Sequence, residues 1–400
     1  MILNQQRGIS SVLQPIRTFL KSQNYLVIFL LILAVVAIRL PIDFKRIMTI
    51  TNNDYTTHIY FALDMLQGRE VPAFTMAHSF YQLSLLFMWW ASRSTIDFWH
   101  SAISFQVVSA VASTLVIYFW YGALPTRPSP WIRAFWAVTL VIVTPVVAPW
   151  LLDGAYYFGY IGLANYHNPT IHLLRPFAVL MFILGMEFLE CPRSSLRRIL
   201  FAAVVFSLAT FLKPSYSVTL LPAVGLMGLY WLWKRRPLNW GLAVWGMGLP
   251  AVLILAAQFL YTYTYGEPEG GIALRPFLAA SMLSAYLPLK FFLSIFFPLV
   301  STALFFQSAR KDHTMMLAWL AFAVGALQFY LFVELGSRFT HGNFVWGAQI
   351  TLFMLFVVTI RFLLKQPAPQ AGWASYAVYL PHVLCGVAYY LFCYFTPFYG

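Results

Sequence analysis

The side chains able to do chemistry are few: eight histidines and twelve acidic residues in 400, gathered in short segments between apolar runs. The first segment reads Asn52-Asn53-Asp54-Tyr55-Thr56-Thr57-His58. Asp54 and His58 stand one helical turn apart, so they can share a face and together hold a divalent metal, Mg or Mn, or a substrate hydroxyl. A carboxylate there can also take an acceptor's proton as general base. The plainer reading makes Asp54 the N-cap of a short helix that stops at Gly68, with Ile59, Ala62, Leu63 and Leu66 on one stripe. Both readings stand at this level.

A second segment opens at Asp153 and runs through Asn165-Tyr166-His167-Asn168-Pro169-Thr170-Ile171-His172 to Arg175, the densest polar cluster in the chain. Pro169 suits the first turn of a helix and Asn168 its cap. Capping does not account for two histidines and an arginine beside them, so Asp153, His167, Asn168 and Arg175 are candidate substrate contacts. Lys213-Pro214-Ser215-Tyr216-Ser217 breaks two short apolar runs. Lys213 either snorkels to the interface or meets an anion such as a lipid phosphate. Near the other end, Arg338 and His341 lie three apart in Glu334-Leu335-Gly336-Ser337-Arg338-Phe339-Thr340-His341. Arg338 is a second phosphate candidate or the ion-pair partner of Glu334, four residues earlier. A Walker loop, GxGxxG after a strand, GxSxG elbow or HExxH is not found, so nucleotide-driven and soluble hydrolase chemistries have no residues to stand on.

The elements that must carry these residues are apolar. Hydrophobic residues make up 61% of the chain and charged ones 9%, against about 25% charged in a soluble domain. This excludes a soluble enzyme and predicts a single all-α polytopic membrane domain over 1–400. The three cysteines, Cys191, Cys385 and Cys393, show no paired spacing. The net charge of +13 would suggest nucleic acid in a soluble protein. Here its clusters, at Arg127/Arg133, Arg193/Arg197/Arg198, Lys234/Arg235/Arg236, Arg310/Lys311 and Arg361/Lys365, mark cytoplasmic loops. About eleven spans follow, at 25–38, 101–124, 134–151, 172–190, 199–213, 218–233, 240–262, 290–307, 314–334, 345–364 and 376–397. The amino terminus is then inside and the carboxyl terminus outside. Outer loops fall at 41–100, 152–175 and 262–290, the last a mobile connector or a lid. The apolar piece 80–90 is too short to span and is expected to lie in the outer interface. Asp43, Asp54, Asp64, Glu70, Asp97, Asp153, Glu267, Glu269 and Glu334 all fall outside in this topology, which follows from the basic clusters alone.

The order of these pieces resembles the GT-C superfamily of integral-membrane glycosyltransferases, such as protein O-mannosyltransferases and lipid A aminoarabinose transferases. Asn53-Asp54-Tyr55 resembles the acidic opening of that family's first outer loop, and 55–67 its first interfacial helix. His78-Ser79-Phe80-Tyr81-Gln82-Leu83 and the following apolar piece resemble the second interfacial helix. Asp153 sits where a second acidic residue often falls. Leu208-Ala209-Thr210-Phe211-Leu212-Lys213-Pro214 looks like the lysine-containing turn, and Arg338-Phe339 like the late arginine-aromatic pair. The resemblance covers roughly residues 25 to 365. Asp54 has Asn53 rather than an acidic neighbour, and no Asp-x-Asp pair is present.

The resemblance implies transfer of a sugar from a polyprenyl-phosphate donor to a glycan, lipid or protein acceptor on the outer face of a cytoplasmic membrane. Asp54 is then the base. His58, His78, Asp153, His167, Asn168, Arg175 and His341 are substrate contacts, and Lys213 and Arg338 neutralise the lipid phosphate. Membrane lipids are expected partners and nucleic acid is not. A transporter or lipid flippase would place ionisable residues at mid-membrane and often shows internal repeats. A membrane glycan polymerase would share donor and face.

Overall fold

A computed structural model describes residues 24–51, 53–147, 160–162, 166, 168–266, 270–366 and 369–397. The chain is a multi-pass helical membrane protein. Nine of its helical segments are long and apolar enough to cross a membrane among the described residues. They are α1 (Tyr25–Met48), α5 (Phe98–Gly122), α7 (Pro169–Glu190), the stretch Pro214–Trp233 containing α9 (Ser217–Trp233), the stretch Leu242–Thr264 containing α10 (Leu249–Leu260), α12 (Leu287–Leu304), α14 (His313–Leu331), α15 (Val345–Leu363) and the segment Trp373–Phe395 of α16 (Pro369–Phe395).

Two of the eleven expected spans are shorter helices. The one expected at 134–151 is α6 (Pro130–Ile142), whose 13 residues give way to extended chain, well short of the roughly 20 that a crossing needs. The one expected at 199–213 is α8 (Leu196–Leu212), with 17 residues. Between α1 and α5 lie α2 (Asp54–Leu66), α3 (Ala73–Ala77) and α4 (Phe80–Ala91). At 12 residues, α4 is too short to span, as expected.

In α1, Val27, Leu31 and Val35 are buried in one stripe while Leu26, Phe29 and Leu33 are exposed, so the outward face is as apolar as the inward one. That is the pattern of a helix whose solvent on the open side is hydrocarbon. The helix runs through Pro41 to Met48, beyond the expected end at Ile38. Asp43 is therefore not a loop residue: both of its oxygens take hydrogen bonds from Arg39 (2.7 and 3.1 Å), and both side chains are buried. The pairing offsets the large desolvation cost of either charge alone. Helices α7 and α15 form the centre and are buried on nearly every face. Glycines set the close approach around α15: a Cβ on Gly325 of α14 would stand 2.6 Å from Thr351 Oγ1, and one on Gly347 would stand 2.8 Å from Thr219 Cγ2. Small residues at such crossings let helices associate without hydrophobic pressure.

The segment expected as an outer connector contains structure. Residues β1 (Gly271–Leu274) pair antiparallel with β2 (Phe332–Leu335), from Gly271 opposite Leu335 to Leu274 opposite Phe332. This two-stranded ribbon is a small addition to an all-α fold, and the short helices α11 (Leu278–Leu283), in the same segment, and α13 (Phe306–Ala309), after α12, add to the helical part. The ribbon ties the segment after α10 to the end of α14.

Candidate active site

The site is built on the first turn of α2. Asn53, not Asp54, is the N-cap: its side-chain oxygen accepts from Thr56 N (3.0 Å), and Thr56 Oγ1 accepts from Asn53 N (3.3 Å). Asn53 Nδ2 donates back to Arg46 O (2.8 Å) and Ile50 O (3.1 Å), fixing α2 to the end of α1. With capping done by its neighbour, Asp54 turns to other work. The expected stop also holds, since Gly68 takes φ +67°, a conformation that disfavours residues with a Cβ.

Asp54 and His58 line one cavity of about 1080 Å³ together with His78, Asn168, Thr170, Lys213 and Arg338. Asn168 caps α7, its Oδ1 accepting from Thr170 N (3.1 Å) and Ile171 N (3.3 Å), while its Nδ2 donates to Asp54 Oδ2 (2.9 Å). Capping and site roles are thus served by opposite ends of one amide. Lys213, the last-turn cap of α8, donates to Thr170 Oγ1 (3.0 Å) and lies 4.7 Å from the centre of the Trp346 ring. Burial draws its amine down to about 8, against the pull of Asp54 and Glu334, which favour the charged form.

His58 Nδ1 lies 2.7 Å from Gln82 Nε2 on α4, and its ring meets Tyr81 edge-on. Burial pushes its imidazole down to about 4, with Asp54 acting the other way and Lys213 adding to the fall. His78 falls to about 3 through burial and the nearby charges of Lys213 and Arg338, and its Nδ1 is buried without a hydrogen-bond partner. Both rings are neutral at pH 7, so they offer hydrogen bonds rather than charge.

Arg338 sits in the short 3-10 helix Gly336–His341 and pairs with Glu334 Oε1 (2.7 Å), the local alternative noted above. It also donates to Tyr263 OH (2.8 Å), which itself donates to Glu334 Oε1 (3.0 Å), and Asn343 Nδ2 donates to Glu334 Oε2. Among the described residues the cavity's charged side chains are two acids and two bases, with Arg338 paired to Glu334. Its remaining wall is apolar: Val252, Leu255, Ala256, Phe259 and Leu260 of α10 present a continuous hydrophobic flank.

Arg175 is not brought to this cavity. It lies over the Phe353 ring at 4.7 Å and lines a small internal pocket of about 10 Å³ with Arg39 and His172. Asp153 and His167 lie outside the described residues, and the His341 side chain is not described. Asp54 and His58 share a face as their spacing implies, but no cluster of three or more potential metal-ligating His, Cys, Asp or Glu residues forms among the described residues. The pair alone makes an incomplete metal site. Sequence reasoning passed over Thr170, Gln82, Gln258, Tyr263 and Asn343. Gln258 had a readable signal, being the one polar side chain in α10; it donates to Ala77 O and Thr210 O (both 3.1 Å).

The fold and cavity define a polytopic membrane protein that gathers acid, imidazole and amine groups beside a lipid-compatible wall. No protein-family model matches the chain, and no curated protein sequence is significantly similar to it.

Proposed function

We propose that the chain is a membrane glycosyltransferase that moves a sugar from a polyprenyl-phosphate donor to an acceptor hydroxyl on the outer face of a cytoplasmic membrane. The observation that carries this reading is one cavity that joins a carboxylate, Asp54, to an amine, Lys213, beside the apolar flank of α10. An amphiphilic phosphate donor fits such a mixture: its head needs the amine and its tail needs the flank. The GT-C-like order of the outer pieces supports the same assignment. Asp54 accepts the proton of the attacking hydroxyl as the new glycosidic bond forms and the bond to phosphate breaks. Lys213 meets the negative charge growing on the leaving phosphate, a contact stronger in the transition state than before it. His58, His78 and Asn168 orient the sugars through hydrogen bonds. Arg338, held by Glu334, lines the same cavity and adds little unbalanced charge to it.

The test is transfer of labelled sugar in membranes supplied with a panel of polyprenyl-phosphate sugars. Wild type is expected to release lipid phosphate and Asp54→Asn to lose that release at equal folded protein level. Full activity in Asp54→Asn removes the base. No turnover with any donor, alongside movement of an intact lipid-linked glycan across proteoliposomes, replaces this reading with a flippase.

A further inference from the structure

Asp54 and Lys213, of opposite charge, line one cavity whose wall is largely apolar, where they attract each other more than in bulk water. Lys213 carries a flexible stem, and Asp54 favours its charged form. Left to itself, such an amine folds onto the carboxylate. The bond actually made by its Nζ goes to Thr170 Oγ1 (3.0 Å), with the Trp346 ring as its other contact.

The hydrogen bonds at the start of α7 have only one consistent direction. Asn168 Oδ1 accepts from two backbone N–H groups and from Thr170 Oγ1 (2.8 Å), so its Nδ2 must face Asp54. The Thr170 hydroxyl has one proton and gives it to Asn168. Toward Lys213 it therefore presents a lone pair, which suits an ammonium with three donors and no acceptor. Carboxylate and ammonium are each satisfied by a different residue of one helix turn, Asn168-Pro169-Thr170.

We propose that this turn is a spacer that holds Lys213 off Asp54, and that Thr170 is the positioning residue for the amine. The functional consequence rests on the transfer reading above: a direct Asp54–Lys213 pair would occupy the base and withdraw the cation from the leaving phosphate. Other charged or titratable groups facing the amine are His58 on α2, His78 after α3, Glu334 on β2 and Arg338 beyond it.

The test reads the amine itself. Labelling of Lys213 by a small anhydride is followed against pH by peptide mass spectrometry in the full-length protein. In Thr170→Val the midpoint is expected to rise, because the released ammonium pairs with Asp54; adding Asp54→Asn to that variant should cancel the rise. Simple loss of a hydrogen-bond acceptor has the opposite sign and lowers the midpoint. Thr170→Ser should keep the wild-type midpoint, and Thr170→Ala repeats the test if the valine variant misfolds. In the transfer assay, Thr170→Val is expected to lose about ten-fold or more in kcat, with serine restoring it. A midpoint that falls or stays put overturns the spacer, as does an unchanged kcat in an active enzyme. If the midpoint rises but wild type turns over no polyprenyl donor, the spacer stands and the transfer reading fails.

Discussion

Replacing Lys213 by methionine separates a working cation from a structural one. The amine is held at about 8 by burial, against an ordinary value of 10.5. A lysine depressed in this way binds its proton less tightly in the native chain than in the unfolded one. Its charge therefore costs stability in full below about pH 8; the cost shrinks between about 8 and 10.5 and is gone above. The gap corresponds to roughly 3 kcal/mol at about 1.4 kcal/mol per tenfold, reduced to the extent that water reaches the amine. Methionine has similar length and no charge, and it forfeits the Thr170 hydrogen bond, about 1 kcal/mol. Lys213→Met is thus expected to stabilise the protein by about 2 kcal/mol at pH 7, with the advantage fading toward pH 10. Sugar transfer should fall about 100- to 1,000-fold, the usual loss when a group stabilising developing charge is removed. Thermal unfolding in detergent at both pH values, beside release of lipid phosphate, measures the two effects. A variant that is less stable at pH 7 yet transfers sugar at the wild-type rate would show that Lys213 serves the fold, and the reasoning would fail.

Three further perturbations probe the supports of the site. Asn53→Ala removes the α2 cap and is expected to cost about 1 kcal/mol while lowering transfer more than stability, since Asp54 is placed by that turn; equal activity in a folded variant would contradict this. Glu334→Gln leaves Arg338 without its buried counter-charge, so a loss of about 3 kcal/mol is expected in thermal unfolding. The same change removes a group favouring charged Lys213, so the alkaline fall of the pH–rate profile should move to lower pH. Gly386→Ala would put a Cβ 2.0 Å from Ile142 O, a backbone atom with little freedom to retreat. A loss of about 3 kcal/mol or more is expected there, read as reduced folded yield by size-exclusion chromatography.

Gly386 sits where α16 docks on the chain leaving α6. His382, one turn earlier, accepts from Phe297 N (3.3 Å) through Nε2 and donates from Nδ1 to Thr144 O (2.8 Å). The first bond ties α16 to α12, and the second satisfies a backbone carbonyl just past the end of α6, where extended chain begins. Hydropathy continues across that point, which is why the sequence predicts a span over 134–151 where the helix stops at Ile142. The same limitation explains α1: Arg39 and Asp43 look like the polar end of a span until their mutual pairing lets the helix carry them inside.

The features legible in the order of residues are local. Apolar runs, the Gly68 stop, the Asn168-Pro169 helix start and the shared face of Asp54 and His58 all depend on interactions within about four residues, which spacing encodes. Arg338 with Glu334 belongs to the same class, and there the local ion pair is the one formed. Which polar turns meet depends on long-range packing. Asp54 finds Asn168 across 114 positions and Lys213 finds Thr170 across 43, while Arg175, only five residues beyond Thr170, turns away to Phe353. The same packing decides that Asn53 caps α2 and leaves Asp54 to the cavity. Such meetings follow from how α7 and α15 pack against their neighbours, a sum of many weak contacts with no signature in the spacing of the residues they bring together.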